Sequence, residues 1–161
     1  MRGWTCLQGR EIAPPAPMPT AVIFRLRKHA DYQRVYQAGR KQFARQMTYF
    51  FSLRPQVGAD GTAVRGVDAG SPRVGLTVGK VMGKAVDRNR INRRMREAVR
   101  KNLSALRMPV DVILHPRRSV MNLEFAALER EVGSVFRAIQ SAAEKSLREK
   151  RKGAEGQAPS C

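Results

Sequence analysis

Between Gln46 and Leu53 apolar and polar side chains alternate: Met47, Tyr49, Phe51 and Leu53 fall on one side, and Gln46, Thr48, Phe50 and Ser52 on the other. A period of two predicts a half-buried strand whose first set faces a core, while Phe50 marks an otherwise polar face. The alternation returns at 73–79, with Val74, Leu76 and Val78 inward and Arg73, Gly75, Thr77 and Gly79 outward. Placed side by side, these two strands would present a shallow floor of small and polar residues on which an extended ligand could lie. Between them, Pro55 to Pro72 lacks periodicity and predicts a long loop, treated as an insertion.

Three stretches carry the helical period instead. Tyr32, Val35 and Tyr36 share one face of a short helix that Gly39 can close in the left-handed conformation. In residues 84–101, Ile91, Met95, Ala98 and Val99 recur at three- and four-residue steps, continued by Leu103, and Asp87 suits the helix start. After Asn122, an expected N-cap, Phe125, Leu128, Val132, Val135, Phe136 and Ile139 line a last amphipathic helix. Val110 to His115, a β-branched run after Pro109, predicts a buried strand. The order is helix, strand, strand, helix, strand, helix: an α+β layer of helices on a small sheet. Residues 1–21, rich in proline, are expected to be a disordered extension rather than a signal peptide, and 141–161 a charged, disordered tail.

Charge changes this picture most. The 161 residues hold 31 Lys and Arg against 13 Asp and Glu, a net charge of +18. Such an excess points to nucleic acid. The apolar runs are too short to span a bilayer, and no basic helix face is paired with a broad Trp, Phe and Leu face, so a membrane partner is not expected. The 84–101 helix concentrates the excess, carrying Lys84, Arg88, Arg90, Arg93, Arg94, Arg96, Arg100 and Lys101 against Asp87 and Glu97 alone. Like charges packed so closely destabilise a helix unless phosphates or counterions screen them. Arginine outnumbers lysine, which suits bidentate phosphate contacts but equally fits a codon preference. Cys6 and Cys161 offer neither a disulfide framework nor a metal cluster, and a reducing cytoplasm is the expected setting.

Protein-borne catalysis is poorly supplied. His29 and His115 are the only histidines. His115 ends a strand without evident partners, which favours a structural or RNA-contacting role over a general base. Residues 73–110 hold only Asp87 and Glu97, too few acids for a two-metal nuclease. The glycines of Gly79 to Lys84 make a turn but not a phosphate-binding loop. Binding chemistry is better provided: Tyr32, Tyr36, Phe43 and Phe50 lie among Arg34, Arg40, Lys41 and Arg45, a mixture that stacks unpaired bases while neutralising their backbone. Tyr49 and Phe51 belong to the core; for Tyr32, Tyr36 and Phe50 exposure and burial both remain open.

Arg88, Asn89, Arg90 and Ile91 with Arg93, Arg96 and Glu97 resemble the signature of the bacterial ribonuclease P protein subunit. Phe24, Leu26, Lys28, Asp31, Tyr32, Val35 and Gly39 precede it in the family's order, as do Arg73 to Lys80 and Gly83 to Val86; Asp111 and Val112 follow. The resemblance covers about 22–140. It implies a small mixed sheet of about four strands in an α-β sandwich, ribosomal protein S5 domain 2-like, with a left-handed crossover through the basic helix where general rules give a right-handed one. It further implies a subunit of an endoribonuclease whose RNA performs the chemistry with Mg2+ held mainly by that RNA, and no protein catalytic or metal-binding residue. The partners implied are ribonuclease P RNA and precursor tRNA, with no further protein required. Lys80, Lys84, Arg88, Asn89, Arg90, Arg93, Arg94 and Arg96 would bind the RNA subunit, and Tyr32, Tyr36, Arg45 and Phe50 a cleft for the 5′ leader. Asn92 and Val81 stand where the family usually has lysines, and Arg94 and Lys84 are the candidates to replace them. A ribosome-associated protein or RNA chaperone, and a nuclease built on His115, are the competing readings.

Overall fold

The computed structural model describes residues 25, 26, 28–55 and 70–155. The expected N-terminal extension and most of the 55–72 loop lie outside the described residues. The chain forms α1 (His29–Ala38), β1 (Arg40–Phe43), β2 (Met47–Leu53), β3 (Arg73–Leu76), α2 (Ala85–Asn102), β4 (Val110–Pro116) and α3 (Phe125–Glu155), joined in part by short 3-10 turns.

The four strands lie in the order β1-β2-β4-β3, with β1 and β2 forming a hairpin, β2 antiparallel to β4, and β3 parallel to β4. This corrects two expectations. The strands at 47–53 and 73–76 are not neighbours, because β4 inserts between them and pairs with both. An edge strand also precedes β2: Arg40, Lys41, Gln42 and Phe43 are all exposed, so burial imposes no alternation that would announce them. Beyond β3 the opposite edge is lined by the segment before α1, where Arg25 bridges Val74 and the Leu26 amide donates to the Val74 carbonyl at 3.4 Å.

Helices cover both faces. Ile91, Met95, Ala98 and Val99 of α2 and Leu128, Val132, Phe136 and Ile139 of α3 close over Met47, Tyr49, Phe51, Val74, Val112 and Leu114, the main core. Each large side chain withdrawn from water there contributes about 1.5–3 kcal/mol. On the other face α1 seals a smaller cluster of Leu26, Val35 and Ile113, with Tyr32 and Phe50 against it. Because β4 is covered on both sides, its run from Val110 to Leu114 is continuously buried, as its sequence predicts.

Local details refine the helix ends. Gly39 does not take the left-handed conformation; at φ −80 and ψ 150 it is extended. Glycine is needed for space, since a Cβ would lie 2.1 Å from the Val35 carbonyl oxygen. Among the described residues Gly83 is the one with positive φ, 123, and it turns the chain from the 3-10 turn Lys80–Met82 into α2. Asp87 sits in the first turn of α2 and accepts the Lys84 amide at 3.3 Å. Asn122 ends the 3-10 turn Arg118–Met121 rather than capping α3. The expected disordered tail from 141 is corrected as far as Glu155, where α3 ends, while 156–161 lie outside the described residues. Ala143 is still core, and the Ala, Glu, Lys, Leu and Arg that follow favour helix.

Candidate nucleic-acid interface

Burial of the apolar stripe of α2 leaves its opposite side to water, and there the cations gather. Asn89, Arg90, Arg93 and Arg96 are exposed, as are Lys80 and Lys84 in the approach to the helix. The acids of this region are spent further along. Glu97 binds Arg100 at 2.6 Å, and that hydrogen bond lowers the Glu97 carboxyl below its usual range. Lys101 pairs with Glu129 of α3 at 3.2 Å and lies 5.0 Å from the Phe125 ring centre. Among the described residues no acid pairs with Lys80, Lys84, Arg90, Arg93 or Arg96. Arg88 is half-buried, with its Nε buried and without a hydrogen-bond partner.

Arg94 separates from this set. Its guanidinium donates to the carbonyls of Met121, at 2.7 Å, and Leu123, tying α2 to the turn before α3. It is a packing residue in the free chain, not an open cation. Val81 is 91% exposed, so no core demand explains an apolar residue at that surface position. Asn92 lines a cavity of about 130 Å³ with Arg25, Tyr32, Gly75 and Arg96 at the β3 edge, where the basic face of α2 meets the α1 side of the sheet.

The α1 side is aromatic. Tyr36 stands edge-on to Phe50 with ring centres 5.0 Å apart, and its hydroxyl lies 2.9 Å from Nε2 of His115. Phe50 and His115 are 5.5 Å apart. Lys41, opposite Phe50 in the β1–β2 register, places Nζ 5.9 Å from the Phe50 ring centre and 5.1 Å from that of Phe43. Tyr36 is 39% exposed and Phe43 66%, so both offer ring faces to a ligand. Burial, and then the charge on Lys41, push the His115 imidazole below its ordinary pKa of 6.5. Burial raises the Tyr32 phenol, whose oxygen packs so close to Gly75 that a Cβ there would be 2.6 Å away.

The structure thus brings Tyr32, Tyr36 and Phe50 to one face, but not Arg45. That residue sits in the β1–β2 turn and borders a groove with Tyr49, Glu131, Ser134 and Val135, on the α3 side of the sheet. Lys41 and His115 take the place beside the aromatics. Lys41 could have been found from hairpin pairing with Phe50, and His115 from its register opposite Thr48.

A second network fixes α1 above the sheet. Asp111, 1% exposed, receives Arg73 at 2.7 Å and Arg54 at 3.1 Å, and Arg73 also reaches Asp31 of α1 at 3.1 Å. The hydrogen bond to Asp111 raises the Arg73 pKa against the opposing effect of burial. Among the described residues no three His, Cys, Asp or Glu side chains converge to hold a metal ion, and no helix is long and apolar enough to cross a membrane.

Comparisons agree with the architecture. The Staphylococcus aureus RNase P protein matches with a TM-score of 0.58 at 24% identity, covering 73% of this chain and 95% of that one. The RNase P protein from Thermotoga maritima matches with a TM-score of 0.56 at 20% identity, over 71% and 96%. The ribonuclease P protein component of Syntrophus aciditrophicus is 31% identical over 109 residues, 68% of this chain and 81% of the relative. That of Finegoldia magna is 34% identical over 113 residues, 70% and 88%. The Ribonuclease P family model matches residues 22–140, and with the mixed four-stranded sheet and the arginine-rich α2 in place, the chain belongs to the ribonuclease P protein family.

Proposed function

We propose that the protein binds the catalytic RNA of ribonuclease P through α2 and the 5′ leader of precursor tRNA through the aromatic face, promoting endonucleolytic removal of the leader in the cytoplasm. The observation that carries this reading is the division of the surface. Lys84, Arg90, Arg93 and Arg96 are exposed without acidic partners on the α2 side, while Tyr36, Phe50 and Lys41 gather on the opposite face of the sheet. Unpaired cations suit a folded RNA backbone, and open rings beside a cation suit unpaired bases.

In this reading Lys80, Lys84, Arg88, Asn89, Arg90, Arg93 and Arg96 grip the RNA subunit, and Tyr32, Tyr36, Phe50 and Lys41 receive the leader. Mg2+ is the ion the family implies. The described side chains do not form a cage for it: Asp31 and Asp111 are both occupied by arginines, and no acidic cluster lies elsewhere among them. We therefore assign the ion to the RNA and route no step through protein groups. His115, bonded to Tyr36, is assigned to shaping the leader face rather than to proton transfer.

The test is reconstitution of the full chain with a ribonuclease P RNA and a precursor tRNA at low magnesium. Stimulated release of the leader supports the reading. Tight binding of RNA without any stimulation would instead identify a general RNA chaperone.

A further inference from the structure

The family model ends at residue 140, yet α3 continues for another 15 residues, and its solvent side is as one-signed as that of α2. Arg130, Arg137, Lys145, Arg148 and Lys152 are all exposed and fall along one line of the helix, diametrically opposite the buried Leu128, Val132, Phe136, Ile139 and Ala143. At 1.5 Å per residue this line runs for about 33 Å. Ser134 and Ser141 fill positions between the cations.

Three acids of α3 have partners. Glu129 holds Lys101, Glu131 accepts the Gln46 amide at 2.6 Å, and Glu144, at the border of the line, is bonded by Gln140 at 2.8 Å. A solvated helix face ordinarily mixes signs; on this one five cations share a line, with Glu144 at its border and the exposed Glu149 about a quarter-turn away. Its first members, Arg130 and Arg137, border a groove of about 560 Å³ shared with Glu129 and with Asn102 at the end of α2, so the line begins beside the end of that helix. The apolar side of α3 is buried in the core as far as Ala143, and beyond it Leu147, 41% exposed, is a single large apolar side chain, too little to anchor the helix in a lipid surface.

We propose that the outer line of α3 is a second phosphate-binding surface that follows the backbone of a double-helical segment of the same RNA engaged by α2. This rests on the function proposed above. It extends the RNA footprint beyond the family's matched region, onto residues 145–152.

The test uses the full chain with R137Q, K145Q, R148Q and K152Q combined, which preserve helix-forming residues, against a ribonuclease P RNA and against a free single-stranded leader oligonucleotide. With each duplex contact adding about 0.9 to the slope of log affinity against log salt, the slope for the ribonuclease P RNA is expected to flatten by about 3–4. The native chain would then lose roughly 100-fold more affinity than the variant between 50 and 200 mM salt. Leader oligonucleotide binding should stay as it was. If circular dichroism shows a loss of helix, K145Q with R148Q alone takes its place, with an expected change near 2. An unchanged slope, an equal loss on the oligonucleotide, or binding to phosphatidylserine vesicles that responds to the substitutions while RNA binding does not, each overturns the inference. R90Q with R93Q, run alongside, separates the two claims. If that pair flattens the slope and the α3 set does not, only this inference fails; if neither does, the RNA-subunit reading fails with it.

Discussion

The Tyr36 hydroxyl and His115 Nε2 stand 2.9 Å apart, joining α1 to β4 across the open side of the sheet and holding the Tyr36 ring edge-on to Phe50. A tyrosine placed this way is ready to stack without first surrendering rotamer freedom. Tyr36→Ala is therefore expected to weaken binding of leader-bearing precursor by about 1–3 kcal/mol, roughly 5- to 150-fold, and mature tRNA far less. Fluorescence titration of the two RNAs decides it; equal losses would reduce Tyr36 to a packing residue.

The same pair gives a pH signature. Burial holds the folded His115 pKa below 6.5, so the unfolded chain takes up a proton more readily. The contribution to stability is complete above about pH 6.5 and is lost as pH falls through that value and on past the folded pKa. Lys41, Tyr36 and Phe50 surround the ring, and none supplies a negative charge to reverse the direction. Urea denaturation at pH 7.5 and pH 5 should show a larger loss for the native chain than for His115→Gln; an identical loss in both would refute the assignment.

On the other side of the sheet, Arg90→Ala should lower affinity for the ribonuclease P RNA and reduce the salt slope by about 0.9, with thermal stability unchanged. Arg94→Ala should do the reverse. Its bonds to the Met121 and Leu123 carbonyls make it a stabiliser, and losing them costs about 1–3 kcal/mol. Thermal melts and salt titrations of the two variants form a matched pair.

Asp111 is 1% exposed and neutralises two arginines. Its replacement by Ala takes the shared buried carboxylate from both guanidiniums, leaving Arg73 with Asp31 and Arg54 with the Ser71 carbonyl, and is expected to cost about 3–5 kcal/mol. Asp31→Ala removes a weaker partner of Arg73 and should loosen α1 before it unfolds the sheet. Hydrogen exchange across 29–38 would register that difference, and uniform exchange rates would contradict it.

Burial left its period in the sequence wherever one face of an element meets the core. Ile91, Met95, Ala98 and Val99 mark α2, and Met47, Tyr49 and Phe51 mark β2, because each is pressed between polar neighbours on the opposite side. β1 buries nothing and so left no pattern. The insertion of β4 between β2 and β3 is a long-range pairing that no local spacing records. At the site, the charge of Arg94 looked like that of Arg93, since a donor aimed at two backbone carbonyls is indistinguishable in sequence from one aimed at solvent. Arg45 is close to the aromatics along the chain, but the hairpin turn carries it to the far face. Residues 141–152 carry the charge of a solvated tail, yet their composition favours helix and Ala143 continues the buried stripe.

The strand β1 ends the sheet, and among the described residues nothing pairs with its outer edge. A bare edge of this kind invites a second molecule to add its own strand, the first step toward fibrils. Here Arg40 and Lys41 occupy successive positions and so project to opposite faces, meeting an incoming copy with like charge from either side. The positive charge assigned above to RNA binding would thereby also set free chains against one another before they assemble.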